Sequence, residues 1–86
     1  MQGLPYRLTD HARKRVEERH IDEKWITRVI VTPEMEFQDS DDSSVSHAFS
    51  VVPEYGNNVL HVVCNKTLNP WVIISVYFDR KYKGKL

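Results

Sequence analysis

Three polar side chains on one predicted helix have types and a spacing suited to phosphate chemistry. His11, Arg15 and Arg19 are four residues apart, so each step turns by only ~40° and the three share one helix face. An arginine guanidinium can donate two hydrogen bonds to a phosphate, and an imidazole can move protons near neutral pH. This face is suited to phosphodiester cleavage. The simpler interpretation is a solvated surface with ion pairs such as Arg15 with Glu18.

A second polar group lies near the C-terminus. Tyr77 falls on the last predicted strand, and Arg80, Lys81 and Lys83 follow it. Basic side chains interleaved with tyrosine are typical of nucleic-acid contacts, because the cations meet phosphates and the ring can stack on a base. We therefore predict that this basic segment binds RNA. The alternative is a solvated tail that keeps the last strand soluble.

The remaining histidines and the lone cysteine do not predict a metal site. His61 and Cys64 are three residues apart on a predicted strand and should point to opposite faces. Pairing His47 with His61 would centre the hairpin at Glu54, whereas the turn-forming residues lie at 55–58. We predict neither a metal nor any other cofactor, and Cys64 should be a buried apolar residue.

The length and composition indicate one domain spanning residues 1–86. A single cysteine cannot form an internal disulfide, which favours a reducing compartment. No stretch has the length of a signal-peptide core or of a membrane span. The sequence therefore predicts a cytoplasmic protein with no membrane partner.

The net charge is zero, but the charges are segregated along the chain. Residues 1–33 carry seven Lys/Arg and five Asp/Glu, whereas residues 34–65 carry six acidic residues and no Lys or Arg. Residues 66–86 carry five basic residues and one acidic residue. This pattern predicts a surface with a basic part, which could meet phosphate, and an acidic part.

The sequence pattern predicts an α+β fold. Thr9 or Asp10 should cap a first helix, Asp22 should cap a second, and Pro33 should end it. The period then changes to the alternation of strands. We predict two N-terminal helices at about 10–19 and 23–31, packed on an antiparallel sheet of about four strands near 35–37, 45–52, 59–65 and 71–79. Trp25, Ile26, Val29 and Ile30 should face the sheet.

The run from Leu8 to Ile21 resembles the opening of a widespread family of small bacterial domains of unknown function. That family has the signature T-x-H-A-x-x-R-x-x-E-R-x-I, often with glycine at the position of His20. The matching residues are Thr9, His11, Ala12, Arg15, Glu18, Arg19 and Ile21, followed by Val29–Pro33 and Ile74–Tyr77. The family is grouped with the RelE/ParE-like and barnase-like nuclease fold, in which N-terminal helices pack on an antiparallel sheet.

The resemblance implies a metal-independent endoribonuclease of a toxin–antitoxin system, with RNA as substrate and a small antitoxin protein as partner. His11, Arg15, Arg19 and Tyr77 are then the catalytic residues. The alternative is a non-catalytic regulatory or protein-binding domain, and a third possibility is a toxin that acts on a protein. We expect a monomer or a weak homodimer formed through an exposed sheet edge.

Overall fold

The computed structural model describes residues 6–86. Its helices and strands, in chain order, are β1 (Tyr6–Leu8), α1 (Asp10–Arg19), α2 (Glu23–Val31), β2 (Met35–Gln38), β3 (Val45–Val52), β4 (Asn58–Asn65) and β5 (Trp71–Phe78). Short 3₁₀ turns follow β3 at Pro53–Tyr55 and β5 at Arg80–Tyr82. The two helices pack against one face of the sheet, so the predicted α+β class is confirmed.

The first helix has the predicted bounds, and its two ends are fixed by local hydrogen bonds. The Thr9 hydroxyl oxygen accepts a hydrogen bond from the amide of Ala12 at 3.1 Å, which satisfies a free N–H of the first turn. At the other end, His20 has a left-handed backbone with φ of 53°. This conformation lets the Ile21 amide donate to the Val16 carbonyl at 3.0 Å and closes the helix.

The second helix also begins and ends where the sequence predicts. Asp22 caps it by accepting from the Lys24 amide at 2.9 Å. Ile26, Val29 and Ile30 are buried against the sheet, as expected. Trp25 is only partly buried; it packs at the margin of the core rather than inside it.

The sheet corrects the prediction of about four antiparallel strands. It has five strands in the order β1-β5-β4-β3-β2, and β1 lies parallel to β5, with Tyr6 opposite Trp71. Three residues are too few to show a periodicity, so the sequence gives no sign of β1. The strand exists because it pairs with the edge of β5 and buries Tyr6, which is 4% exposed. The short predicted strand at 35–37 is confirmed as β2, antiparallel to β3.

The main core lies between the helices and one face of the sheet. It includes Cys64, which is fully buried as predicted, and burial raises the pKa of its thiol to about 11. On the other face, Phe49 and His61 are also buried, and Tyr82 of the C-terminal turn packs on Phe49 with ring centroids 4.6 Å apart. The C-terminal segment therefore covers part of this second face.

Within residues 6–86, neither helix combines the length and the apolar composition that a membrane crossing requires.

Candidate functional site

An open cleft of about 560 Å³ lies where α1 approaches the C-terminal part of β5. All four residues predicted to be catalytic lie on its wall, although they come from opposite ends of the chain. The lining residues are His11, Arg15, Arg19, Tyr55, Asn58, Ser75, Tyr77, Phe78 and Arg80. The side chains of the three predicted residues of α1 are exposed, so a bound molecule can reach them.

Thr9 sets the position of α1 relative to β5. Its amide donates to the Ile73 carbonyl at 3.0 Å, and its hydroxyl donates to the Ile74 carbonyl at 3.2 Å. The same hydroxyl oxygen caps the helix through Ala12, which is fully buried and turns that side of α1 towards the core. His11, the residue before Ala12, lies beside this buried side of the helix and lines the cleft next to β5.

A β-bulge in β5 lies at this attachment point. Val63 of β4 pairs with Ser75 and Cys64 pairs with Ile73, so Ile74 is the additional residue between them. The carbonyl of Ile74 is the one that accepts from the Thr9 hydroxyl. The bulge thus provides both a docking point for α1 and the shift in register that places the following residues of β5, including Tyr77, beside the cleft.

Tyr77 forms one wall of the cleft and is 41% exposed. Its ring packs on His61 of the neighbouring strand, with centroids 4.7 Å apart. Partial burial and the nearby charge of Asp79 raise the pKa of the Tyr77 hydroxyl. The phenol is therefore protonated at neutral pH and available as a hydrogen-bond or proton donor.

The basic C-terminal segment contributes to the cleft through one residue. Arg80 lies on the cleft wall. Lys81 instead lies over the ring of Tyr82, with its Nζ 5.6 Å from the ring centroid, and Lys83 is exposed outside the lining. Of the three residues predicted to bind RNA, only Arg80 lines the cleft together with the residues of α1.

The charge of the cleft wall is positive. Among the described residues, those that line it include three arginines and no carboxylate. The acidic segment at 34–42 lies on β2 and directly before and after it, at the opposite edge of the sheet from β1. Arg15 Nη1 lies 3.7 Å from Glu18 Oε1, and both side chains are nearly half exposed. A surface pair of this kind is weak, so Arg15 can exchange it for a phosphate.

Four lining residues were not among the predicted site residues: Tyr55, Asn58, Ser75 and Phe78. Tyr55 and Asn58 belong to the region assigned as a turn, and Phe78 reads as an ordinary apolar strand residue. The Tyr55 ring stacks on Phe78, with centroids 4.7 Å apart and an interplanar angle of 27°. A contact between residues this far apart in the sequence has no local signal.

A comparison with protein families agrees with the helix motif. The family model described as "Domain of unknown function (DUF4258)" matches residues 8–78, which is most of the chain. The chain belongs to the DUF4258 family. The matched region contains Thr9, His11, Arg15, Arg19 and Tyr77 but ends before Arg80. No curated protein and no solved structure matches the chain.

The DUF4258 domain also contains a hydrogen-bonded row of four titratable side chains on the sheet face away from the helices. His47 Nε2 lies 2.7 Å from Asp39 Oδ1, and His61 Nδ1 lies 3.3 Å from Asp79 Oδ2. Between them, His47 Nδ1 is 2.8 Å from His61 Nε2. Asp79 also accepts a hydrogen bond from the amide of Lys81, so this row of side chains reaches the turn that carries Arg80.

These histidines have the register that the sequence predicts, but their contact was not predicted. His47 is opposite Val63 and His61 is opposite Phe49, so the histidines are not direct partners. They are diagonal neighbours on the same face of the sheet, a distance that imidazole rings span. Among residues 6–86, no group of three or more His, Cys, Asp or Glu residues is arranged to hold a metal ion.

Proposed function

We propose that this DUF4258 domain is a metal-independent endoribonuclease. One observation carries the proposal: His11, Arg15, Arg19 and Tyr77 line a single cleft with Arg80. If these side chains only kept the surface solvated, they would not need to meet at one place. Instead, the first helix and the last strand bring an imidazole, a phenol and several guanidinium groups together. The RelE/ParE-like or barnase-like relationship and the cytoplasmic location remain predictions from the sequence.

The proposed reaction uses the 2′-hydroxyl of RNA as the nucleophile. His11 accepts the proton of this hydroxyl as its oxygen attacks the adjacent phosphorus. The bond between phosphorus and the 5′-oxygen then breaks, and the leaving oxygen takes a proton from the Tyr77 phenol. The products are a 2′,3′-cyclic phosphate and a 5′-hydroxyl, and proton exchange with water restores both side chains.

The arginines stabilise charge in this scheme. Arg15 and Arg19 bind the scissile phosphate, whose negative charge increases in the transition state. Arg80 approaches the same cleft from the C-terminal side and can bind a neighbouring phosphate. Arg15 pairs only weakly with the exposed Glu18, and the described lining of the cleft includes no carboxylate that would compete with RNA for Arg19 and Arg80.

Purified wild type and His11→Ala, incubated with a mixed RNA pool in EDTA, test the proposal. We expect His11→Ala to reduce cleavage by ~10²–10⁴-fold, the usual size of a general acid–base contribution. Its melting temperature should change little, because His11 is exposed. His20→Asn is the matched control: it removes another exposed imidazole of the same segment, and asparagine tolerates the left-handed backbone. Wild type that leaves RNA intact would refute the proposal.

The toxin role rests on the family resemblance and has its own test. Induced expression of the wild type should arrest bacterial growth, and His11→Ala should not. A non-catalytic regulatory domain predicts the same growth phenotype for both proteins. A toxin that acts on a protein predicts arrest without a change in RNA. The antitoxin partner stays a prediction.

A further inference from the structure

The proposed reaction does not use the exposed aromatic ring of Tyr55 in the cleft. Tyr55 is 49% exposed and lies on the cleft wall together with Arg15, Arg19 and Arg80. Phe78 stacks behind its ring, and Trp25 packs beside both, with centroids 5.8 Å from Tyr55 and 6.2 Å from Phe78. The ring is therefore supported by other aromatic rings and still presents apolar surface to the cleft.

The backbone that carries this ring is held at several points. The guanidinium of Arg28 in α2 pairs with both carboxylate oxygens of Glu54, the residue before Tyr55. The Asn58 side-chain amide donates to the Tyr55 carbonyl at 2.8 Å. Gly56 then turns the chain with φ of 63°, a conformation that glycine adopts without strain. A ring held in this way loses little freedom when a flat molecule stacks on it.

We propose that Tyr55 is the platform on which an unpaired base of the nucleic-acid strand stacks while the arginines bind its phosphates. The inference rests on the proposed function and specifies its substrate class as single-stranded RNA. Guanidinium groups alone bind any polyanion, whereas a base can reach a flat ring only where it is not paired in a duplex. An exposed aromatic ring beside cationic side chains is the combination that single-strand binding requires.

Affinity for strands that cannot be cleaved tests the platform separately from catalysis. The probes are a 2′-O-methyl-uridine decamer and the same 2′-O-methyl ribose-phosphate decamer without bases, both measured by fluorescence anisotropy with the full chain. We expect wild type to bind the strand with bases roughly 5- to 150-fold more tightly, the range that stacking of one base provides. Tyr55→Ala should remove this preference, and Tyr55→Phe should retain it.

Phe37→Ala is the matched control, because Phe37 is 46% exposed on β2, at the far edge of the sheet, and outside the lining. It should leave the preference unchanged, and circular dichroism verifies that each variant is folded. Equal wild-type affinity for the two strands would contradict base stacking on Tyr55 but would still be consistent with phosphate binding in the cleft. A preference that survives Tyr55→Ala would overturn the role of Tyr55. Failure to bind either strand would overturn the proposed RNA cleft and the platform together.

Discussion

His47 Nδ1 lies 2.8 Å from His61 Nε2, so a hydrogen bond joins the two rings between β3 and β4. The other nitrogen of each ring faces a carboxylate, Asp39 for His47 and Asp79 for His61. Burial lowers the pKa of His61, and the hydrogen bond with Asp79 opposes this change only in part. The folded chain therefore favours the neutral form of His61.

The lowered pKa of His61 predicts that stability falls on acidification. Burial holds the folded-state pKa of His61 below its unfolded value of about 6.5. The neutral ring therefore contributes stability that is present above about pH 6.5 and lost as the pH falls through the folded-state pKa. A protonated His61 would lie near His47 and Lys81, both of which lower its pKa, and the carboxylate of Asp79 offsets these effects only in part.

Urea unfolding of wild type and His61→Gln at pH 7.5, 6.5 and 5.5 measures this effect. The wild type should lose free energy of unfolding across the range. The His61→Gln variant should lose less, because glutamine can occupy the site without taking up a proton. Parallel pH profiles for the two proteins would show that the pKa of His61 does not differ between the folded and the unfolded chain.

Thr9 should matter for both folding and the cleft. Thr9→Ala removes the helix cap and the hydrogen bond to the Ile74 carbonyl, so we expect the free energy of unfolding to fall by about 1–2 kcal/mol. Thr9→Ser keeps the hydroxyl and should recover most of this loss. If cleavage depends on the placement of His11, Thr9→Ala should also slow it under conditions where the variant remains folded. An Ala variant as stable as wild type would contradict the role of the cap.

His20 should be replaceable by glycine with a gain in stability. Its backbone is left-handed, which disfavours residues with a side chain and suits glycine at the end of a helix. We expect His20→Gly to raise the free energy of unfolding by roughly 0.5–1 kcal/mol. Lys14→Gly, at an exposed position inside the same helix, should instead lower it by about 1 kcal/mol. Chemical denaturation of both variants checks the pair of opposite effects.

RNA affinity should depend strongly on salt and on the cleft arginines. If about four phosphates are bound, log K should fall with log salt concentration at a slope of about −3 for a single strand. Arg15→Ala and Arg80→Ala should each make the slope shallower by roughly 0.7. Lys83→Ala should have a smaller effect, since Lys83 lies outside the cleft lining. A slope near zero in the wild type would exclude phosphate contacts as the source of affinity.

Local signals account for the parts of the fold that the sequence predicted. Caps at Thr9 and Asp22 and the proline at 33 mark helix ends within a few residues, and both helices have the predicted bounds. The missing strand β1 is only Tyr6–Leu8, and its pairing partner is more than 60 residues away. Short-range patterns carry no information about such a pairing, so the sheet was predicted with too few strands and without its parallel pair.

In the candidate site, too, local patterns predicted some residues, and tertiary contacts positioned the others. His11, Arg15 and Arg19 share a helix face, which their spacing alone predicts, and the family motif supports the choice. Tyr55 became part of the cleft only through its stack on Phe78 and the Arg28–Glu54 pair, which are tertiary contacts. The His47–His61 contact was missed because two strand residues can meet diagonally without being direct partners.

The parallel pairing of β1 with β5 has a consequence for synthesis of the chain. The ribosome makes α1 about 60 residues before β5, a delay of roughly 3–12 s at ordinary elongation rates. During that interval Thr9 has no Ile74 carbonyl to bind, and His11 has no Tyr77 across from it. The cleft therefore cannot assemble before β5 and Arg80 have been made. If the domain is the ribonuclease proposed above, the incomplete chain has no assembled site during that interval.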